Sequence, residues 1–237
     1  SGGIKADFAQ LFSVNFIATQ SLLASVLAVK SFRPRIIIPG SAAEYGQLPV
    51  SIKQVTEKYA PKPSGQYAVT KYLQTSLGLF YSRHHGLDIV VGRLFNITGR
   101  GTPETLVAGK FAADIAAIEL GKKPAVLKTG NLSSRRDFLD IADVCSGLVA
   151  LAKKGKSGEI YNICSGRSCR IRELLTTLTA LSKVKHIKIE EETGKTSGTF
   201  DVIGSPVKAR RELKWSPRVS LKISLAQTLE DHRQKGA

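Results

Sequence analysis

The sequence contains no methionine, one tryptophan and only three cysteines in 237 residues. The cysteines Cys145, Cys164 and Cys169 are odd in number and follow no repeated spacing, which indicates reduced thiols rather than a disulfide framework. No histidine cluster accompanies Cys164 and Cys169, so no metal site is predicted. Without a methionine, the printed sequence does not open at an initiator residue.

Three longer patterns are also missing. No continuous apolar run reaches the length that crosses a bilayer, so no membrane-spanning helix is predicted. No signal peptide is visible, and together with the cysteine content this predicts a cytoplasmic protein. No Gly-x-Gly-x-x-Gly turn follows a strand, and no acidic residue stands beyond one at the spacing that holds a ribose.

Negative charge is scarce, since 35 basic residues stand against 19 acidic ones, for a net charge of +16. Residues 1–120 carry 12 basic and 7 acidic residues, whereas residues 121–237 carry 23 and 12. The larger excess of positive charge in residues 121–237 predicts that this half of the chain attracts an anionic ligand. A basic nucleic-acid-binding module is an alternative, but the basic clusters lack interleaved aromatics and match no nucleic-acid motif, so nucleic acid is not the expected partner.

Hydrophobic periodicity predicts strands that alternate with helices, the pattern of an α/β fold. Helices are predicted over residues 5–30, 64–85, 104–120, 140–153 and 171–181, with short ones near 207–213 and 220–234. Strands are predicted over residues 35–39, 87–92, 125–127, 159–163 and 186–190, and 136–139 is predicted to be extended. We expect a first domain over 1–130 and, over 131–237, a small lobe with some segments returning to the first domain.

Tyr67 and Lys71 lie four residues apart in the helix predicted over 64–85. That spacing places a phenol and an ammonium on one face, one turn apart. A nearby cation favours a phenolate, so we expect Lys71 to lower the pKa of Tyr67 toward the range of a working acid or base. Taken alone, such a pair is usually a core ring beside a solvated charge.

Polar side chains also follow two predicted strands. Ser41 comes two residues after the strand at 35–39, and Asn96 follows the strand at 87–92. The Tyr67–Lys71 helix lies between these strands in the chain. Parallel strands joined by a crossover helix bring their carboxyl ends to one sheet edge, where open α/β sheets bind ligands. We therefore expect these four side chains to converge on one site.

Five motifs in this order give the chain a specific resemblance to a known family. They are SAAEYG (41–46), YAVTK (67–71), RLFN (93–96), RDF (136–138) and YNICSG (161–166). The chain resembles the extended short-chain dehydrogenases/reductases that act on nucleotide sugars, and most closely their GDP-mannose branch. The resemblance implies a Rossmann-like parallel sheet flanked by helices, here truncated, with a small C-terminal α/β substrate lobe.

The resemblance also implies roles for seven side chains. Tyr67 would be the general acid/base at the sugar C4 oxygen, and Ser41 would bond the same oxygen. Lys71 would be the third catalytic residue, and Tyr67 and Lys71 would also contact bound NAD or NADP, Lys71 at the nicotinamide ribose. Phe95 would lie beside the nicotinamide. The nucleoside diphosphate of the substrate would be bound by Asn96, Lys110 and Arg136. For Ser41, Phe95, Asn96 and Lys110, a turn, core or solvated-surface role stays open.

The sequence departs from the family pattern in three places. Where the dehydratases carry the carboxylate that removes a proton, this chain has Ala43, which favours a reductase or an epimerase; Glu44 comes one residue late. Lys195-Thr196 replaces an Arg-Pro pair that forms a second clamp. The glycine-rich turn for the dinucleotide phosphates is not encoded here, so we expect weak or no NAD(P) affinity.

The leading hypothesis is therefore a nucleotide-sugar oxidoreductase that reduces the 4-keto group of a GDP-6-deoxy-hexose, impaired by truncation. The alternative is a non-catalytic remnant that binds a nucleotide sugar or acts as an oligomeric scaffold. A strand edge left open near residues 35–39 predicts a homo-oligomer. The family's usual dimer would pack the helices at 5–30 and 64–85 into a four-helix bundle.

Overall fold

The computed structural model describes residues 7–192 and 201–236, in which strands and helices alternate. The helices are α1 (Phe8–Phe12), α2 (Ala18–Ala28), α3 (Gln66–His85), α4 (Val107–Glu119), α5 (Ile141–Lys154), α6 (Ile171–Ala180) and α7 (Leu221–Gly236). The strands are β1 (Ile36–Ser41), β2 (Ile89–Leu94), β3 (Asn96–Thr98), β4 (Val126–Thr129), β5 (Arg135–Arg136), β6 (Phe138–Asp140), β7 (Ile160–Ile163), β8 (Cys169–Arg170) and β9 (Lys188–Glu191). The predicted α/β class is confirmed.

The main sheet is parallel and has the strand order β1-β2-β7. Ile38 and Val91 pack on the face covered by α2 and α3, while Ile37 and Val90 pack with α5 on the opposite face. Parallel strands covered on both faces need apolar residues at successive positions, which explains the unbroken β-branched runs in β1 and β2.

Strand β1 lies at an edge of this sheet, since it pairs only with β2 among the residues described. The open strand edge that the sequence predicts near residues 35–39 is therefore found at β1, although apolar cores lie on both faces of the sheet there. Ile36 and Ile37 are half-buried, and Pro39 is exposed. Proline has no N–H to donate to a neighbouring strand, so an edge strand tolerates it.

A second apolar core joins α4, α6 and α7 with the short strand pair β4–β9. Leu174 and Leu178 of α6 and Leu225 and Leu229 of α7 are fully buried there. Helix α4 thus packs with the second lobe, whereas β7 and α5 pack with the main sheet. The domain division at residue 130 stays a prediction, with segments on each side packing across it.

The N-terminal helical segment is more apolar than the search for unbroken apolar runs indicated. Phe8–Ala28 is 21 residues long and contains an 18-residue window with a mean hydropathy of 1.6, so the segment is long and apolar enough to cross a bilayer, by length and composition only. Counting unbroken apolar runs missed it because polar residues interrupt the segment, and its mean hydropathy is high because none of them is charged. Two of them bond α3 instead: the Asn15 amide donates to the Thr70 hydroxyl at 3.0 Å, and Thr19 accepts from the Gln74 amide at 2.8 Å.

Candidate active site

A cavity of about 440 Å³ opens where β1 and β2 end. Five of the residues predicted for the site line it, although they come from distant parts of the chain: Ser41, Tyr67, Phe95, Asn96 and Arg136. Much of the remaining lining is apolar, from Ala42, Ala43, Leu94, Ile97, Leu106 and Val202. The parallel strands and the crossover α3 bring these side chains together as their order in the chain predicts.

Ser41 is the last residue of β1 and the N-cap of the short 3-10 helix Ala42–Tyr45. Its hydroxyl accepts from the Ala43 N–H at 3.2 Å, and its own N–H donates to the Glu44 carboxylate at 2.7 Å. This reciprocal capping box fixes the backbone at the strand end. The hydroxyl of Ser41 is therefore held at the cavity by local structure.

Tyr67 stands in the first turn of α3, with 36% of its surface exposed at the cavity. Enough protein surrounds the phenol for desolvation to raise the pKa of Tyr67 above its ordinary value. A side-chain hydrogen bond with Ser41 lowers this pKa, and the charge of Glu44 raises it again. At neutral pH Tyr67 is a protonated phenol beside the Ser41 hydroxyl.

Lys71 is 7% exposed and does not line this cavity. Its ammonium donates to the Pro39 carbonyl oxygen at 2.5 Å and to the Gln74 side-chain oxygen. Burial lowers the pKa of Lys71, while the negative charge of Glu44 works in the opposite direction. The expectation that Lys71 lowers the pKa of Tyr67 is wrong here, because the ammonium turns toward β1 and burial dominates at the phenol.

Asn96 and Arg136 meet at one wall of the cavity, since β3 pairs with β6 and β5 directly precedes β6. The Asn96 amide donates to the Asp137 carbonyl oxygen at 3.0 Å. Arg136 Nη1 donates to the Arg135 carbonyl oxygen at 2.8 Å and lies 3.9 Å from the carboxylate of Asp201. Burial lowers the pKa of Arg136, and the charge of Asp201 counteracts it.

Asp137 ties three chain segments together beneath Arg136. One carboxylate oxygen accepts from the backbone N–H and the hydroxyl of Ser165, at 2.9 and 2.6 Å. The other accepts from the N–H groups of Gly166 at 2.9 Å and Gly204 at 3.2 Å. Burial raises the pKa of Asp137 despite these four hydrogen bonds. The carboxylate acts as a structural anchor for the loops that carry Arg136.

Two sequence-predicted positions do not join this group. Lys110 is exposed on α4, where its ammonium lies 3.4 Å from Asp114, and it does not line the cavity. The second clamp expected near Lys195-Thr196 lies outside the described residues. A substrate role for Lys110 stays a prediction, and Lys110 is not among the residues that line the cavity.

Of the two residues that the resemblance assigns to the nicotinamide and its ribose, Phe95 borders the cavity and Lys71 does not. Tyr67 and Phe95 border the cavity, and Lys71 lies one turn beyond Tyr67 on α3. No glycine-rich turn for the dinucleotide phosphates is present in the sequence. Within 7–192 and 201–236, no three His, Cys, Asp or Glu side chains gather as a metal site.

Comparison with known proteins shows the family of the chain. Residues 6–228 match the sequence family described as GDP-mannose 4,6 dehydratase. The chain belongs to this GDP-mannose 4,6-dehydratase family. GDP-6-deoxy-D-mannose reductase of Pseudomonas aeruginosa is 30% identical over 227 residues, covering 95% of this chain and 74% of the relative.

Other members of the family's wider neighbourhood are also similar. GDP-6-deoxy-D-talose 4-dehydrogenase of Aggregatibacter actinomycetemcomitans is 26% identical, covering 82% of this chain and 67% of the relative. The structure of RMD from Pseudomonas aeruginosa complexed with NADPH matches with a TM-score of 0.91 at 30% identity, over 97% of this chain and 76% of that one. The main sheet and the lobe are therefore those of the GDP-mannose 4,6-dehydratase family and its relatives.

Sequence reasoning missed a buried ion pair under the site of this family member. Glu44 and Arg93 join through Oε2 and Nε at 2.9 Å, and their side chains are 0% and 2% exposed. The other Glu44 oxygen accepts from Ser41 N–H and from the Thr75 hydroxyl at 3.0 Å. A Cβ at Gly40 would come within 2.7 Å of that oxygen, so the pair also requires a glycine there. The available signal was Glu44 itself, an acidic residue next to a buried strand.

Proposed function

We propose that this chain is a nucleotide-sugar oxidoreductase that reduces the 4-keto group of a GDP-6-deoxy-hexose with NAD(P)H. The observation that carries the proposal is the cavity shared by Ser41, Tyr67, Asn96 and Arg136. It combines a protonated phenol, a hydroxyl and a guanidinium, which are the groups that a keto-sugar joined to a diphosphate requires. The GDP-sugar relatives at 26–30% identity support the same substrate class.

Tyr67 is assigned the proton donor to the ketone oxygen. Its pKa is raised by burial, so its phenol holds a proton at neutral pH and can deliver it as negative charge develops on that oxygen. Ser41, whose side chain interacts with Tyr67, donates a second hydrogen bond to the same oxygen. Bound NAD(P)H supplies the hydride, and Phe95 and Lys71 are the residues of this chain that would hold its nicotinamide and ribose.

Ala43 argues against a dehydratase. Elimination of water needs a base that removes the proton next to the ketone, and the methyl side chain of Ala43 at the cavity wall cannot act as one. Glu44 cannot substitute for it, because both carboxylate oxygens are bound to Ser41, Thr75 and Arg93. Reduction needs only hydride and the Tyr67 proton.

Arg136 and Asn96 are assigned to the diphosphate end of the substrate. A guanidinium can meet two phosphate oxygens at once, which favours arginine at such a position. Asp137 acts through Arg136 by anchoring the loops around it. The apolar wall formed by Leu94, Ile97 and Leu106 would contact the sugar.

The test is oxidation of NADPH in the presence of GDP-4-keto-6-deoxy-mannose. Because weak NADPH affinity is expected, the assay uses NADPH at high concentration. Under that condition we expect turnover by the native chain and a loss of about 10²–10⁴-fold in Tyr67→Phe, since a positioned acid contributes about that much. Tyr81→Phe, on the same helix but outside the cavity, is the matched control and should keep its activity. Equal activity in Tyr67→Phe and native protein would refute the assignment.

A second candidate is a non-catalytic nucleotide-sugar-binding or oligomeric protein. It is favoured by Lys71, whose ammonium is held by Pro39 and Gln74 rather than facing the cavity. It is also favoured by the apolar exposure of the N-terminal helices, where Val14 and Leu22 are 65% and 56% exposed. This reading predicts that GDP raises the Tm without any turnover, and that the chain sediments as a homo-oligomer.

A further inference from the structure

A separate cavity of about 410 Å³ lies between α3 and the loop that contains Tyr59. Tyr72, Thr75 and Phe80 of α3 form one side of it, and Arg93 of β2 also lines it. None of the side chains assigned above to the keto-sugar or its diphosphate lines this cavity. Its size is within the range of about 300–1,000 Å³ that small ligands occupy.

Arg93, which lines this cavity, has one buried nitrogen without a hydrogen-bond partner among the described residues. Its Nε bonds Glu44 at 2.9 Å, and its guanidinium carbon lies 4.6 Å from the centre of the Tyr45 ring. Nη1, in contrast, is buried and has no hydrogen-bond partner in the described part of the chain. Buried donors are nearly always paired, so an orphaned guanidinium nitrogen on a residue that lines a cavity indicates an acceptor that comes from outside the chain.

The charges around the cavity favour an anion as that acceptor. Lys58 and Arg83 stand at its exposed margin, and His84 lines it too. The one carboxylate in the lining, Glu57, already accepts from the Asn162 backbone N–H at 2.8 Å. Lys58 and Arg83 therefore provide two exposed cations at the margin of the cavity that Arg93 also lines.

The remaining walls are suited to an apolar or planar body. Tyr59, Tyr72, Leu79 and Phe80 contribute aromatic and aliphatic surface. Phe80 is 48% exposed, although its ring centre lies 4.7 Å from that of His84 at an interplanar angle of 32°. A ligand with a charged head and a flat body would cover this ring and use the basic margin together.

We propose that this cavity binds a small organic anion, whose phosphate or carboxylate head lies near Arg93, Arg83 and Lys58 and whose planar body packs on Tyr72 and Phe80. Because Arg93 is 2% exposed, a lining side chain has to turn aside before the head can reach Nη1. The proposal does not depend on the assigned reaction, since the two cavities share no lining residue.

The probe is phenyl phosphate, followed by backbone amide NMR shifts, with inorganic phosphate and phenol as head-only and body-only comparisons. We expect saturable shifts at the amides of Tyr59 and Ser76, and affinity for phenyl phosphate roughly tenfold above either comparison compound, because head and body contacts add in one ligand. Inorganic phosphate could also meet Arg136, and shifts at Asn96 report that separate event.

The test variant is Arg83→Gln with Lys58→Gln, which removes the basic margin without disturbing the buried Arg93. We expect affinity to fall at least about fivefold, a modest loss because exposed charge contacts are individually weak in water. Arg33→Gln with Lys154→Gln removes the same charge far from the cavity and should leave affinity unchanged. Shifts confined to Asn96 and its neighbours, no saturation, or equal losses in both double variants would each overturn the proposal.

Discussion

The buried ion pair between Glu44 and Arg93 gives the sharpest stability prediction. Both side chains are fully enclosed, and the pair links the end of β1 to β2 across a 2.9 Å contact. Glu44→Gln leaves a buried guanidinium without its countercharge, and Arg93→Met leaves a buried carboxylate. Removing one partner of such a pair costs about 3–5 kcal/mol, because the remaining charge stays desolvated.

The magnitude can be converted into a thermal shift. For a chain of this size about 1 kcal/mol moves Tm by roughly 2–4 °C, so each single variant should lose roughly 6–20 °C. The double variant should lose less than the sum of the singles, with a coupling of roughly 2 kcal/mol, because it strands no charge. The assay is urea unfolding of the four proteins, which gives the free energy of unfolding for each corner of the cycle.

A surface pair provides the matched control for this cycle. Lys188 and Glu190 are 2.8 Å apart, but their side chains are 71% and 42% exposed. Lys188→Met with Glu190→Gln should show a far smaller coupling, since water screens exposed charges. Additive losses in the Glu44 and Arg93 cycle, or a coupling no larger than that of the surface pair, would refute the reasoning.

Three further predictions follow from single observations. Burial raises the pKa of Tyr45 and Tyr161 from 10.0 to about 12, so as the pH rises the unfolded chain releases these two protons before the folded chain does. The free energy of unfolding should therefore fall between pH 10 and 12, and it should fall less steeply in Tyr161→Phe. Calorimetry should find weak or no NADPH binding to this chain, and micromolar affinity would contradict that. Arg136→Lys should weaken GDP binding about tenfold through loss of bidentate contact, whereas Lys110→Gln, outside the cavity, should change it less than about twofold.

The arrangement of the site was largely predictable from the sequence, because it depends on chain order. Ser41 and Asn96 each follow a strand, and a parallel sheet with a crossover helix has one way to bring such ends together. Apolar periodicity located α3 for the same reason, since the side facing the sheet must repeat every three to four residues. The convergence of Ser41 and Asn96 and the location of α3 both depend only on where the backbone runs, and not on where side chains end.

What could not be predicted depends on the far ends of long side chains and on strand register. The four-residue spacing places the Cβ atoms of Tyr67 and Lys71 on one face, but the Lys71 ammonium reaches Pro39 on a neighbouring strand. Glu44 and Arg93 are 49 residues apart and meet only because Gly40 pairs with Arg93 in the sheet. Each of these two contacts joins residues of different secondary-structure elements, so neither produces a periodic pattern that can be recognised in the sequence.

The protonation state of Tyr67 leads to a prediction about direction. Burial raises its pKa, so the protonated phenol that reduction consumes is the resting form, whereas oxidation of the alcohol would need the rare phenolate. The rate of reduction should therefore stay flat from about pH 7 to 9, while the rate of oxidation should rise up to about tenfold per pH unit, in proportion to the phenolate. Both rates are measurable from NADPH absorbance at saturating substrate. A reduction rate that falls through pH 7 to 8 would mean that a group other than a buried phenol donates the proton, and Ser41 and Tyr67 would then only bind the sugar.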